Sequence, residues 1–349
     1  MEGINRLIEE AIAAGVMPGA NYCLIIDQHI QFGSLGKRAL YPVGEDNNLD
    51  TIYDMASLTK VVATTTSIML LLEQGKLRLF DSVAHFLPRF IHKNITIWDL
   101  LTHTAGLAPF IPSTAYTGKE DLIEKIYNIE LRAEKNAKII YSDLGFILLG
   151  WVVEAISKMS LADFTKKMIF DVLEMKDSGY RPKDTMRCAP TEDRGDHIDR
   201  GYVHDERAFD LDQVAGHAGL FSTVGDIAHF MEMYLNRGKY KGKQFLSEQT
   251  IDLLFQVQVV EEKGVALSRN QRGLGWIVKG DYPCAGDLVS AETIMHTGFT
   301  GTHIFIDRKN KVAFCMLTNR VHPTRDNIDI IAFRARLGNY IMSHLEGGF

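Results

Sequence analysis

The sequence predicts an α+β fold, in which an antiparallel sheet is flanked by terminal helices and carries an inserted, mostly helical sub-domain. Three observations indicate this: β-rich runs lie near both chain ends, the middle shows helical periodicity, and amphipathic helices begin and end the chain. The 349 residues exceed the roughly 250–300 that one core usually serves. We therefore expect a single unit over 1–349, with an α/β sub-domain (1–56 and 265–349) and a helical sub-domain (57–264).

The first residues supply a helix and a hairpin. Residues 4–12 carry apolar side chains on one helical face, and Gly15 ends that helix. Two short β-rich runs follow, at 20–26 and 29–34, separated by turn residues. This pattern is typical of an antiparallel hairpin.

The middle of the chain is predicted to be mainly helical. A helix is expected from Ser57 to Gly75, because apolar residues repeat along one face and the glycine suits a left-handed cap. Thr223 and Asp226 have the spacing of a capping box. Further helices are expected over 96–102, 119–128, 143–157, 161–170, 223–236 and 248–255.

Strands return near the end of the chain. The β-rich runs are 273–279, 302–307 and 312–318, and residues 308–311 are predicted to join the last two as a tight hairpin. A final helix is expected from about Arg325 to His344. An antiparallel sheet therefore needs strands from both ends of the sequence.

Composition excludes several classes of function. The formal net charge of −6 and the short, scattered basic clusters do not indicate a nucleic-acid partner. The start lacks the pattern of a secretory signal, and the apolar run 67–72 is too short to span a bilayer, so we expect a cytoplasmic protein without membrane contact. The four cysteines are scattered without zinc-ligand spacing, which favours buried free thiols and no metal site: Cys23, Cys188, Cys284 and Cys315.

The first candidate motif is Ser57-Leu58-Thr59-Lys60, at the start of a predicted helix. Residues three apart share a helical face, so the serine hydroxyl and the lysine amine can meet. A buried lysine can lose its proton and act as a base toward a serine nucleophile. Taken alone, the spacing is common, and a capping serine beside a solvated lysine is then the favoured interpretation.

Two further motifs follow in the chain. Tyr141-Ser142-Asp143 precedes an apolar helix, and its tyrosine can carry a proton if it lies beside a lysine and a serine; a packed tyrosine before a helix cap is the alternative. His296-Thr297-Gly298, followed by Phe299, lies on a predicted late strand. Glycine there lets a substrate approach the strand edge and leaves main-chain N–H groups for an oxyanion.

The order of these three motifs resembles that of serine β-lactamases and penicillin-binding proteins, especially class C β-lactamases, D-alanyl-D-alanine carboxypeptidases, D-aminopeptidases and related esterases. The runs 98–107 (WDLLTHTAGL) and 141–146 (YSDLGF) are also similar to that group. The resemblance implies a β-lactamase/transpeptidase-like fold. It also implies an acyl-enzyme on Ser57, general-base work shared by Lys60 and Tyr141, and an oxyanion between the N–H groups of Ser57 and Phe299.

Two residues depart from the group's pattern. Asp143 stands where an asparagine is common, so a carboxylate replaces a neutral amide donor to the substrate. His296 stands where β-lactamases have lysine, which removes a permanent positive charge. We expect His296 to orient Tyr141 or to bind the substrate tail, with Asp143, Thr297, Gly298 and Phe299 as substrate-binding residues.

Another segment resembles a subgroup of these hydrolases, some of which are linked to muropeptide recovery. It comprises 201–208 (GYVHDERA) and 215–222 (AGHAGLFS). His204, Asp205 and His217 can present polar groups to a cleft, and a structural cluster of salt bridges is an equally good interpretation.

The sequence therefore favours a serine amidohydrolase that acts on a small peptide-like substrate carrying D-amino acids or a muramyl group and needs no cofactor. A broad carboxylesterase, a β-lactam hydrolase and a non-catalytic penicillin-binding sensor or scaffold are the alternatives. Specificity is expected to depend on the loops 108–117 and 280–291, whose shape composition does not give. The oligomeric state is left open.

Overall fold

The computed structural model describes residues 2–263, 268–280 and 283–345. The expected sub-domain boundary at 264 and 265, and residues 281–282 of the loop 280–291, lie outside this range. The strands are β1 (Gly19–Ile26), β2 (His29–Ala39), β3 (Glu45–Asp46), β4 (Tyr53–Asp54), β5 (Gly179–Tyr180), β6 (Leu220–Ser222), β7 (Lys239–Tyr240), β8 (Lys243–Gln244), β9 (Val259–Lys263), β10 (Ser268–Arg272), β11 (Ile277–Val278), β12 (Thr293–Thr297), β13 (His303–Asp307) and β14 (Val312–Leu317). The α-helices are α1 (Glu2–Ala13), α2 (Thr66–Glu73), α3 (Val83–Phe86), α4 (Ile97–Leu101), α5 (Gly118–Tyr127), α6 (Asp143–Ser157), α7 (Leu161–Thr165), α8 (Glu206–Asp210), α9 (Val224–Leu235), α10 (Glu248–Phe255) and α11 (Ile330–Ser343).

The main sheet joins the two ends of the chain. Its order is β3-β2-β1-β14-β13-β12-β11-β10-β9, and neighbouring strands are antiparallel. At its centre β1 pairs with β14, so that Cys23 lies opposite Cys315. The predicted α+β fold with an antiparallel sheet assembled from both ends is therefore confirmed.

Both faces of this sheet are covered, because successive side chains of a strand point to opposite faces. In β14, Val312, Phe314 and Met316 pack into one buried cluster with α1 and α11. Ala313, Cys315 and Leu317 belong to a second cluster, shared with α9 and the helical part. The terminal helices therefore cover one face, and the other face meets the helices that carry the candidate site.

The helix after Ser57 is present but is not uniform. Residues Lys60–Thr65 form a π-helical turn that continues into α2. The Thr66 hydroxyl donates to the Val61 carbonyl at 3.0 Å, which helps to satisfy the widened turn. Gly75 has φ +66°, as the predicted left-handed cap requires.

Several predicted bounds near the end of the chain were wrong. The run 273–279 contributes only β11, because Gly273 donates to the Trp276 carbonyl and Gly275 turns the chain at φ +78°. The last helix begins at Ile330 rather than Arg325. The Arg320 guanidinium holds the carbonyls of Arg325 and Asn327 at 2.7 and 2.6 Å, which keeps that segment an irregular loop.

The expected capping box at Thr223 forms only in part. Thr223 accepts from the Asp226 N–H, but the Asp226 carboxylate turns away to accept from the Asp177 N–H at 2.8 Å. A complete box occurs instead at Thr96 and Asp99, at the start of α4.

No single helix within the described ranges has the length and apolar composition needed to cross a bilayer. Two neighbouring segments, Asp143–Ser157 and Leu161–Phe170, meet that requirement only as a pair, and they are bent by 76° where they join.

Candidate active site

Ser57 lies on a tight connection between β4 and the π-helical turn. The preceding residue, Ala56, has φ +45°, a conformation that L-residues other than glycine rarely adopt. The buried Asp54 carboxylate stabilises this turn, because it accepts from the Ala56 N–H at 2.8 Å and from the His204 N–H at 2.7 Å. Burial raises the pKa of Asp54 to about 6, although these two hydrogen bonds lower it.

Lys60 is fully buried directly behind Ser57. Its Nζ lies 3.0 Å from Ser57 Oγ, 2.8 Å from Asp143 Oδ1 and 3.2 Å from the His217 carbonyl. Burial disfavours the ammonium, but the charge of Asp143 and the phenol of Tyr141 outweigh it and hold the pKa of Lys60 above its usual value. The expectation that burial lets Lys60 lose its proton is therefore not met in the resting site.

Tyr141 lies beside Lys60, just before α6. The ammonium nitrogen is 4.8 Å from the centre of the Tyr141 ring. The following residue, Ser142, caps α6 by accepting from the Gly145 N–H. The structure thus brings Ser57, Lys60, Tyr141 and Asp143 together, although they come from two segments far apart in sequence.

His296 lies near the end of β12, on the site face of the sheet. Its ring centre is 6.2 Å from that of Tyr141. Nδ1 is 3.0 Å from the Thr297 carbonyl, which can only accept, so Nδ1 carries the proton. Burial, then the charges of Lys60 and Arg272, lower the pKa of His296 to about 3. The ring is therefore neutral at neutral pH, with Nε2 as a lone-pair acceptor.

The turn after β12 closes the site from the other side. A Cβ at Gly298 would lie 2.0 Å from Thr302 Oγ1 and 2.7 Å from the Met55 carbonyl. Only glycine therefore fits beside the backbone of Met55, two residues before Ser57. Among the described residues, neither the Ser57 N–H nor the Phe299 N–H donates to a protein acceptor. These two N–H groups are therefore available to donate to a substrate oxyanion at Ser57.

The segment around His204 is both a cleft wall and a salt-bridge cluster, so each alternative from the sequence holds in part. Asp205 contacts Arg207 and lies 2.8 Å from His217 Nε2. Arg207 also lies 4.0 Å from Asp143. Burial raises the pKa of Asp205, but His217 and then Arg207 hold it well below its usual range.

Asp143, Asp205 and His217 form a cluster that could be read as a metal site, because one ligand atom of each lies within 4.8 Å of the others. The sequence did not reveal this convergence. Each carboxylate already has a cationic partner, Lys60 for Asp143 and Arg207 for Asp205. The cluster is therefore part of a network of alternating charges.

Two cavities meet at Ser57. The first, of about 350 Å³, lies toward the charge network and includes Phe110 from the loop 108–117 and Arg207. The second, of about 480 Å³, lies toward β12 and includes His296 and Thr297. Ser57, Tyr141 and Phe299 line both cavities. A substrate can thus extend in both directions from the serine hydroxyl.

The sequence did not single out three residues that shape this site: Asp54, Arg207 and Arg272. Asp54 lies three residues before Ser57, and Arg207 lies in the run 201–208. Their partners in the site, His204 for Asp54 and Asp143 for Arg207, are about 150 and 60 residues away in sequence. Arg272 lies in β10, and its guanidinium is 5.8 Å from the centre of the Tyr141 ring. No local pattern in the sequence marks that strand.

Comparison with known proteins agrees with this geometry. A profile of the family described as Beta-lactamase matches residues 4–338. The chain is 32% identical to the "Putative D-alanyl-D-alanine carboxypeptidase" of Escherichia coli O157:H7, over 93% of this chain and 83% of that protein. It is 30% identical to the N-acetylmuramyl-L-alanine amidase of Bacillus subtilis (strain 168), over 91% and 80%.

Among solved structures, EstCE1, a hydrolase with promiscuous acyltransferase activity, has the same fold, with a TM-score of 0.79 at 19% identity over 98% of both chains. The match to the family profile spans nearly the whole chain, and the three motifs converge in space around Ser57. The chain therefore belongs to the beta-lactamase family of hydrolases.

Proposed function

We propose that this chain is a serine hydrolase that forms an acyl-enzyme on Ser57 and cleaves an amide bond in a small peptide-like substrate. The observation that carries the proposal is the position of Ser57 Oγ. It lies 3.0 Å from the buried Lys60 ammonium, at the junction of two cavities and beside two unused main-chain N–H donors. A nucleophile, a proton carrier and an oxyanion site are thus within reach of one substrate carbonyl.

The charge on Lys60 decides how the proton moves in this proposal. Because Asp143 keeps Lys60 as an ammonium, Tyr141 is the group that exchanges the proton. Ser57 Oγ attacks the carbonyl carbon while its proton passes to the oxygen of Tyr141, which accepts it only in the deprotonated form that the neighbouring Lys60 charge favours. The negative charge on the carbonyl oxygen rests between the N–H groups of Ser57 and Phe299.

The second half of the reaction uses the same groups in reverse. As the C–N bond breaks, Tyr141 returns the proton to the leaving amine, which departs. Water then attacks the ester carbonyl, gives a proton to Tyr141, and releases the acid as that proton returns to Ser57. Lys60 stays charged and stabilises the phenolate, and neutral His296 serves as a hydrogen-bond acceptor. No metal or organic cofactor takes part in these steps.

The substrate class we favour is a peptide with a D-amino acid or a muramyl group. The names of the two relatives support this, because both describe cleavage of amide bonds in such molecules. Two cavities on opposite sides of Ser57 suit a substrate with sizeable groups on both the acyl and the amine side. We place the reaction in the cytoplasm, since all four cysteines are buried free thiols.

The test compares wild type, Ser57→Ala and a matched control, Ser343→Ala, whose serine is exposed at the end of α11. Each is assayed on an acyl-D-alanyl-D-alanine peptide, N-acetylmuramyl-L-alanine, a p-nitrophenyl ester and a chromogenic cephalosporin. Intact mass after treatment with a fluorescent phosphonate reports the acyl-enzyme. We expect wild type and Ser343→Ala to gain one adduct and to cleave an amide, and Ser57→Ala to do neither. Turnover retained by Ser57→Ala, or an adduct without any hydrolysis in wild type, contradicts the proposal.

A further inference from the structure

His103 occupies an unusual backbone position two residues after α4. It is buried and has φ +60°, in the left-handed region that costs a non-glycine residue free energy. Such strain persists only where surrounding contacts hold it, and it concentrates at functional sites. The end of α4 alone therefore does not account for the backbone conformation of His103.

Those contacts converge on Tyr141. The His103 carbonyl accepts from the Ile140 N–H at 2.9 Å, and its ring Nδ1 accepts from the Ser142 N–H at 3.1 Å. These two donors belong to the residues on either side of Tyr141. The His103 ring also packs on the Tyr141 ring, with centres 4.6 Å apart. One residue thus holds the tyrosine by both neighbouring peptide groups and by its ring.

The hydrogen bond from Ser142 fixes the protonation state of His103. An N–H donor needs a lone pair on Nδ1, so the ring proton must be on Nε2. Burial, followed by the charges of Arg272 and Lys60, lowers the pKa of His103 well below its usual value. The ring therefore stays neutral and keeps accepting from Ser142 across the range in which the enzyme would work.

We propose that His103 is a positioning residue that holds the phenol oxygen of Tyr141 in place for proton transfer with Ser57. This inference rests on the proposed function, in which Tyr141 carries the proton. In this backbone conformation, the carbonyl and the ring Nδ1 of His103 both accept from the segment that carries Tyr141. Displacing a catalytic group by about 1 Å costs on the order of 10²-fold in rate.

The experiment uses the full chain and three substitutions at this position. His103→Asn keeps an acceptor at the δ position and tolerates the left-handed backbone, whereas His103→Gln moves the acceptor by one bond and His103→Ala removes it. We expect kcat to fall by about 10²-fold in His103→Ala and His103→Gln, with KM little changed, and His103→Asn to recover most of the loss. A buried histidine outside the site, His303, gives the matched control His303→Leu, whose kcat should equal that of wild type.

A double-mutant cycle with Tyr141→Phe separates positioning from general support of the fold. If His103 acts through Tyr141, adding His103→Gln or His103→Ala to Tyr141→Phe causes no further loss of kcat. Losses that add in free energy, or a His103→Ala enzyme as active as wild type, overturn the inference while leaving the proposed function in place. Full turnover by Tyr141→Phe overturns both. His103→Gln, which is also expected to lose kcat, keeps the cycle decisive if His103→Ala does not fold.

Discussion

The fully buried Lys60 forms an ion pair with the partly buried Asp143, with Nζ 2.8 Å from Oδ1, and the same nitrogen reaches the hydroxyl of Ser57. Asp143 in turn lies 4.0 Å from Arg207, which contacts Asp205. A line of alternating charges therefore runs from Ser57 to the wall of the first cavity. Asp143 thus holds the pKa of Lys60 above its usual value, although burial alone would lower it.

Asp143→Asn should weaken both folding and catalysis. Removing one partner of a buried pair leaves the ammonium uncompensated, so we expect the free energy of unfolding to fall by about 3–5 kcal/mol at neutral pH. Burial then dominates and lowers the pKa of Lys60, so the deficit should shrink as pH rises and the lysine loses its proton. Urea unfolding between pH 6 and 10 measures this.

The control for that variant is Asp212→Asn, which breaks an exposed pair with Lys119. Its effect should stay below about 1 kcal/mol and should not depend on pH in this range. Equal losses in the two variants would mean that the Lys60–Asp143 pair is no more than a surface contact.

His296 is expected to work as a neutral group. Its pKa of about 3 means that it gains no charge between pH 8 and pH 5, so acidic and neutral substrates should show parallel profiles of kcat/KM over that range. His296→Lys introduces a charge beside Lys60 and Arg272 and should lower kcat by tenfold or more. A tenfold loss corresponds to about 1.4 kcal/mol in the activation free energy. A selective gain for acidic substrates at low pH in wild type would contradict the neutral role.

His303 makes the fold sensitive to acid. It is buried between Phe305 and Phe314, neither ring nitrogen has a hydrogen-bond partner among the described residues, and burial holds its pKa well below the usual value. The unfolded chain takes up this proton below about pH 6.5, so stability is present above that pH and is lost as pH falls. His303→Leu should reduce this loss by up to about 1.4 kcal/mol per pH unit and leave kcat unchanged. Thermal unfolding from pH 7.5 to 4.5 checks it, and an unaltered slope would show that His303 titrates normally.

Gly216 allows two segments of the site to approach each other. A Cβ at this position would lie 2.0 Å from the Phe146 carbonyl. The Gly216 carbonyl accepts from the Thr64 hydroxyl, and the next carbonyl, of His217, accepts from Lys60. Gly216→Ala should therefore destabilise the protein by about 3 kcal/mol or more and reduce phosphonate labelling of Ser57. Gly179→Ala, which meets no atom within 4 Å, is the matched control and should be near neutral. Similar melting temperatures for the two variants would show that the segments can separate without cost.

Helices capped by their own neighbours could be predicted from the sequence. The structure gives α6 and α10 the predicted bounds, because Ser142 and Ser247 cap them locally. The charge of Lys60 could not be predicted, since its partner Asp143 lies 83 residues further along the chain. The contacts of His103 with Ile140 and Ser142 likewise join segments nearly 40 residues apart, which no local pattern encodes.

The pairing of β1 with β14 sets an order on the synthesis of this protein. Ser57 leaves the ribosome early, whereas β12 and the turn at Phe299 are among the last segments translated before β14. At about 5–20 residues per second, the nascent chain carries Ser57 for on the order of tens of seconds before the turn at Phe299 is translated. During that time β1 can pair with β2, but its other edge, which pairs with β14 in the finished protein, is unpaired. The free N–H and C=O groups of such an edge can pair with another chain and cause aggregation. Because β14 follows the Phe299 turn within about 20 residues, the open edge and the incomplete candidate site persist for nearly the same time.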